Sequence, residues 1–329
     1  MKILIVGTGS IGMRHLTNCL IIDHFSSVAV VSRSKSLIEE FPAIQVFGTI
    51  ASACNEQQKY DAAIVATPTS LHIENCVDLI QNGIKKIYLE KPVAQNLDHV
   101  DSLVALAQAE NVTVFVGFDL RFDLGLNHVK SLLEKKAIGN LISFQAEVGQ
   151  YLPDWRQGTD YKEGMSAKVA LGGGVMLDLI HEFDYLSWIL GGFQRVCGFH
   201  KKIEKLGIET EGIAVNILET KAGVLGVLSL DYVQKALHRN SKFIGDAGTI
   251  EWNYVTAEVK WNTHANQDWQ YFDYKSVERN DRFIAILGAF LHANSSSFDA
   301  RLTSLEEGIQ ALRTVVQAKE SNNFEFNKI

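Results

Sequence analysis

Over the first third of the chain, short apolar runs alternate with stretches of helical periodicity. Residues 2–6, 27–32, 61–66, 86–89 and 112–117 are rich in Val, Ile, Ala or Phe, as expected for strands buried on both faces. Between them, 11–22, 35–41, 71–82 and 97–110 read as helices. Alternating β and α predicts a parallel, doubly wound sheet with right-handed crossovers. After about residue 120 the pattern changes. A helix over 124–136 and a strand over 141–150 lead to Gly172-Gly173-Gly174, followed by a helix over 175–190. Extended runs then follow without intervening helices, at 195–203, 212–219, 224–231, 241–245, 249–253 and 257–261. Consecutive strands joined by short turns predict one large, mostly antiparallel sheet. Helical stretches over 277–294 and 304–321 close the chain, and one of them can return to pack on the first domain.

A length of 329 residues exceeds a typical single domain, so two are expected, 1–120 and 121–329. The expected fold is α/β followed by α+β: a nucleotide-binding parallel sheet, then a substrate and oligomerisation domain on the open-faced sheet. Ligand is expected in the crevice between them. The net charge is −7, with no basic block, which argues against a nucleic-acid partner. No apolar run reaches membrane-span length. The chain enters a strand at once, leaving no room for a signal peptide, so a cytoplasmic protein is expected. Cys19, Cys54, Cys76 and Cys197 form no C-x-x-C pair and read as reduced thiols. No close His/Cys/Asp cluster demands a metal.

The first strand runs into Gly7-Thr8-Gly9-Ser10-Ile11-Gly12, the Gly-x-Gly-x-x-Gly fingerprint of a Rossmann dinucleotide site. Gly7 suits the tight turn, Gly9 a close approach of pyrophosphate, and Gly12 close packing of the helix on the strand. Ser10 and Ile11 begin the helix whose free N–H groups and dipole favour phosphate. NAD-binding units place an acid near the end of the second strand. Here that place reads Ser32-Arg33, with no acid. Ser32 can donate to a 2′-phosphate and Arg33 can neutralise it, which favours NADP over NAD. An ordinary solvated Arg33 is the plain alternative. Thr67-Pro68 turns into the next helix at the sheet edge that the cofactor crosses. His72 reads either as a cofactor or substrate contact or as a residue of the capping turn.

The next strand ends Glu90-Lys91-Pro92. A lysine at the carboxyl edge of a parallel sheet faces the ligand crevice, where partial burial favours proton exchange with a hydroxyl or carbonyl. A cis bond at Pro92 is one way to fix its orientation. With the glycines, this motif resembles the Gfo/Idh/MocA oxidoreductases, the glucose-fructose oxidoreductase and inositol dehydrogenase group. The resemblance covers essentially the whole chain. It includes Thr67-Pro68, Arg121-Phe122, and Gly172-Gly173-Gly174 through Asp178, His181 and Asp184.

That resemblance implies NAD(P), hydride transfer at a carbon of a sugar, polyol or nucleotide sugar, and a homodimer or homotetramer built through the sheet face. It implies that Lys91 holds and polarises the reacting oxygen and that His181 exchanges the proton. Asp178 then orients His181 or binds a substrate hydroxyl. Two features depart from the usual pattern. The spacing is Asp178-x-x-His181 where Asp-x-x-x-His is more usual, and Asp119 stands where many relatives carry Asn. On a helix both spacings share one face. Arg121 either holds an acidic substrate group or pairs with Asp119. Trp155 and Tyr161 offer stacking faces for a sugar ring, and Arg156 a bidentate anion contact. Asp184 completes the candidate substrate set. The stretch around it resembles a subgroup linked to bacterial surface-polysaccharide synthesis. Two other branches of such a family remain as alternatives: a non-catalytic NAD(P)-binding regulator, and a glycoside hydrolase using NAD as a redox relay.

Overall fold

The computed structural model describes residues 1–22, 26–33, 40–54, 59–155, 158–294 and 297–321. The chain divides into two compact units. The first comprises Met1–Asp119 with Arg279–Ile309, and the second Leu120–Glu278 with Gln310–Ile329. The long helix near the end of the chain, Arg279–His292, thus belongs to the first unit.

The first unit holds a seven-stranded sheet. Its strands are β1 (Lys2–Val6), β2 (Ser27–Val31), β3 (Gln45–Phe47), β4 (Ala62–Val65), β5 (Lys86–Leu89), β6 (Thr113–Val116) and β15 (Thr303–Ser304), in the order β15-β6-β5-β4-β1-β2-β3. All pairings are parallel except β15 with β6. The five strands expected from apolar runs are all present. β3 and β15 are too short to show a pattern. Among the helices are α1 (Ser10–Ile21), α2 (Ile50–Ala53), α3 (His72–Gln81) and α4 (Val100–Ala109). Most of the helix expected over 35–41 lies outside the described residues. Ile3, Leu4, Ile5, Ala63, Ile64, Ile87 and Leu89 have no exposed surface, as a sheet covered on both faces requires.

The second unit holds an eight-stranded sheet in the order β14-β13-β12-β11-β7-β10-β9-β8. These are β7 (Leu141–Gly149), β8 (Phe193–Lys201), β9 (Ile213–Thr220), β10 (Leu225–Asp231), β11 (His238–Gly245), β12 (Gly248–Asn253), β13 (Glu258–Thr263) and β14 (Gln270–Asp273). Only β7 and β10 pair in parallel. Strict alternation marks β9 and β10: Ala214, Asn216, Leu218, Leu228 and Leu230 are buried, while Val215, Ile217, Leu225 and Val227 are exposed.

Helices α5 (Leu124–Glu134), α6 (Val175–Asp178) and α7 (His181–Leu190) belong to this unit; α8 is Arg279–His292 and α9 is Leu305–Glu320. The continuous helix expected over 175–190 is broken. Leu179 leaves helical geometry at φ −100°, ψ 28°, and α7 begins two residues later. Asp178 therefore ends one helical segment and His181 starts the next.

Candidate active site

Strands β5, β4, β1 and β2 are neighbours and run in one direction. The turns that follow them therefore lie side by side along the carboxyl edge of the sheet: Glu90-Lys91-Pro92, Ala66-Thr67-Pro68, the glycine turn and Ser32-Arg33.

Gly7 has φ +95°, which a residue with a Cβ rarely adopts. A Cβ there would lie 2.7 Å from the Ala66 carbonyl oxygen, and one on Gly12 would lie 2.1 Å from the Gly7 carbonyl oxygen. Both glycines thus let α1 start hard against the sheet. Gly9 differs, because a Cβ there would meet nothing within 4 Å. Gly9 is also the N-cap of α1; it carries no side-chain cap, and the first turn has no acidic residue. The first N–H groups of α1, beginning at Ser10 and Ile11, are left for an anion, with open space beside the turn. These residues fit the pyrophosphate of a dinucleotide.

At the end of β2, the Ser32 and Thr8 hydroxyls are 2.5 Å apart, which ties the strand end to the glycine turn. Arg33 is exposed. In the loop after β4, the Thr67 hydroxyl donates to Asn75 Oδ1 at 2.9 Å, and Pro68 caps the turn Thr69–Leu71. His72 is buried, with Nδ1 2.7 Å from the Pro92 carbonyl oxygen and Nε2 3.0 Å from that of Thr67. It lies between two neighbouring loops and, while neutral, donates to one of their carbonyls at a time. Burial pushes its pKa below the ordinary value, against the pull of the two carbonyls and Glu90.

The Lys91–Pro92 bond is cis, and Lys91 is half-buried. Glu90, expected at the cofactor, lies 2.7 Å from His15 Nε2 on α1, so the lysine loop is tied to the helix that starts at the glycines. Beneath them Tyr88 packs edge-on against His15 and Phe290. Its hydroxyl is buried and, among the described residues, has no hydrogen-bond partner. Burial and the Glu90 and Asp119 carboxylates hold the phenol well above its ordinary pKa.

The second unit supplies the other candidates. Asp178 is 7% exposed, and the Tyr232 hydroxyl donates to its Oδ2 at 2.6 Å. His181 is half-buried at the first position of α7. Arg121 pairs with a carboxylate far along the chain, Asp184. It holds Asp184 through Nε and Nη2 at 2.7–3.2 Å, with both side chains buried. Asp119 accepts from Arg282 Nε at 3.0 Å. Arg121 and Asp184, both expected to contact substrate, are thus neutralised by each other in the interior. Trp155 packs edge-on against Tyr232, with ring centroids 5.3 Å apart, and the Tyr161 hydroxyl donates to the Leu206 carbonyl at 2.8 Å. Arg156 lies outside the described residues.

Sequence reasoning missed Tyr232, the Glu182–Arg239 pair at 2.8 Å and the Glu211–Lys319 pair at 2.8 Å. Their partners are too far apart in sequence for any spacing to connect them. Gly174 stands against Glu211 of the second pair. Its φ is +120°, and a Cβ there would lie 2.5 Å from Glu211 Oε1. Among the described residues, no cluster of three or more His, Cys, Asp or Glu could hold a metal. No helix among them is long and apolar enough to cross a membrane.

Residues 1–118 match the model of the oxidoreductase family with an NAD-binding Rossmann fold, and residues 126–251 match the Gfo/Idh/MocA C-terminal domain. The chain belongs to the Gfo/Idh/MocA family of oxidoreductases and carries its NAD-binding domain. Myo-inositol 2-dehydrogenase of Thermotoga maritima is 26% identical over 98% of this chain and 96% of its own. The NADP(+)-linked scyllo-inositol 2-dehydrogenase IolU of Bacillus subtilis is 30% identical over 46% of each chain. Several curated relatives are, like it, spanned over only about half their length. The crystal structure of the WlbA dehydrogenase of Bordetella pertussis, in complex with NADH and UDP-GlcNAcA, shares the fold. Its TM-score is 0.80 at 19% identity, over 98% of this chain and 95% of that one.

Proposed function

We propose that the protein moves a hydride between the nicotinamide of NAD(P) and a carbon of a sugar, polyol or nucleotide sugar. The observation that carries this reading is the row of turns along one sheet edge, with the open Gly9 turn and the half-buried Lys91 within it. Inositol dehydrogenases among the relatives support the polyol class. Bound nicotinamide supplies the hydride in reduction and accepts it in oxidation. Lys91 holds and polarises the reacting oxygen. His181 gives that oxygen a proton as the carbonyl carbon gains hydride, and takes the proton back in the reverse direction. Asp178 orients His181 or receives a substrate hydroxyl. Relieving charge on the oxygen is the largest contribution of these groups.

NADP is the preferred cofactor, since Ser32 and Arg33 follow β2 where an NAD-binding unit places an acid. The exposed apolar residues Val215, Ile217, Leu225 and Val227 support a homodimer or homotetramer built through the sheet face.

The test is parallel titration with NADPH and NADH, read by nicotinamide fluorescence. Turnover is then screened with myo-inositol, scyllo-inositol and UDP-linked sugars. Tighter NADPH binding and turnover on one of these classes are expected. Saturable binding with no turnover on any of them would favour a regulator. Cofactor retained through purification without net reduction would favour a redox-relay hydrolase.

A further inference from the structure

β10 ends at Asp231, and Tyr232 follows it with no exposed surface. Its backbone is held on both sides: its N–H donates to the Gly212 carbonyl at 2.9 Å, and its carbonyl accepts from the Leu152 N–H at 3.0 Å. The Trp155 ring meets it edge-on. With its ring and backbone fixed, the hydroxyl donates to Asp178 Oδ2 at 2.6 Å. Hydrogen bonds of this length from O–H to a carboxylate are of the strong, charge-assisted kind. Burial, with the Asp178 carboxylate beside it, keeps the phenol well above its ordinary pKa, so it remains a donor.

Asp178 needs such a tether. It ends a helix of four residues, and Leu179 breaks the chain before His181. A single helical turn is too short to hold its last side chain by its own hydrogen bonds. We propose that Tyr232 is a positioning residue, which holds Asp178 as an oriented acceptor and leaves proton exchange to His181. The inference rests on the roles given above to Asp178 and His181. It decides between the roles that the Asp178-x-x-His181 spacing leaves open. Oδ2 of Asp178 is already engaged by the Tyr232 hydroxyl, so that oxygen serves as a held acceptor.

The test compares wild type, Tyr232→Phe, Asp178→Asn and the double variant. Measured are kcat and KM on the fastest substrate of the inositol and UDP-sugar panel, NADPH affinity by fluorescence, and thermal melting. Tyr232→Phe is expected to lower kcat roughly 10- to 100-fold, the worth of a hydrogen bond to a charged group. KM and NADPH affinity should stay within about twofold, the range of an indirect effect. In the Asp178→Asn background the same substitution should add little, because a residue that acts through another is silent once that one is gone.

Equal losses in both backgrounds would make Tyr232 merely structural and overturn the proposal, as would an unchanged kcat in Tyr232→Phe alone. Normal turnover in Asp178→Asn would instead remove Asp178 from the reaction, and the proposal would fall with that assignment. Absence of wild-type turnover on the whole panel would sink the hydride-transfer reading, and this role with it. Should Tyr232→Phe fail to fold, site-specific 3-fluorotyrosine at position 232 changes donor strength with little change of shape. kcat must then move at constant melting temperature, and an unmoved kcat overturns the proposal.

Discussion

In the first unit the candidate site is a row of neighbouring turns, each set by the strand before it. In the second unit the candidate residues are held by partners from distant parts of the chain. Lys91 stands where it does because β5 ends at Leu89. Asp178 stands where it does because Tyr232, 54 residues later, donates to it, and Asp184 because Arg121, 63 residues earlier, clamps it. The difference teaches where function and stability separate. Along a sheet edge, a side chain can change without loosening the fold. In a network of buried charges it cannot, because removal of one partner strands the other.

The largest expected effect is at Lys91. Lys91→Ala should lower the chemical rate by about 10²- to 10⁴-fold, with NADPH affinity and melting temperature nearly unchanged. Stopped-flow kinetics at saturating cofactor checks this, and near-normal rates would remove Lys91 from the mechanism. Next in size is the second unit's counterpart. Arg121→Ala takes the guanidinium away from the buried Asp184 carboxylate, at a cost of about 3–5 kcal/mol, or roughly 6–20 °C in Tm. Replacing both partners by Leu should restore most of it. If the single and double variants melt alike, the pair is not what holds α7.

Gly12→Ala tests the boundary between the two behaviours. Its Cβ would press on the Gly7 carbonyl, so it should cost about 1–3 kcal/mol, as overpacking does, and also weaken NADPH binding. A smaller effect is expected at Arg33. Arg33→Ala should weaken NADPH roughly 10-fold, about 1.4 kcal/mol, and leave NADH binding alone. An equal loss for both cofactors would discard the phosphate role.

The smallest effect at neutral pH concerns His72. Burial lowers its pKa from the ordinary 6.5. The unfolded chain therefore takes up a proton near pH 6.5 that the folded chain refuses. Stability should fall as pH drops below about 6.5, by at most about 1.4 kcal/mol per pH unit. His72→Gln should flatten that slope in urea melts. An unchanged slope would mean that other groups carry it.

Much of the first unit was legible because its cues are local. Apolar runs marked β1, β2, β4, β5 and β6, and glycines stand where turns and close packing require them. What stayed hidden there was short or distant, such as the three-residue β3, the two-residue β15, and the bond from Glu90 to His15 on α1. In the second unit the alternation of β9 and β10 was equally plain, but the break at Leu179 was not. Val175 to Leu190 keeps a helical apolar pattern through the break, so periodicity alone had no means of showing it. Arg121 illustrates the same limit. Its charge and its neighbour Asp119 were visible in sequence, and its pairing with Asp184 was not.

Sequence alone determined the order of the longer strands, the two sheet types, the glycine turn and the family, because these follow from periodicity and from residues at fixed short spacing. Tertiary structure decided which charges neutralise one another, that His72 lies between two loops, and that Asp178 takes its bond from Tyr232. Those outcomes depend on which groups share a buried, low-dielectric place. Only the folded chain brings such groups together, across separations of tens to more than a hundred residues.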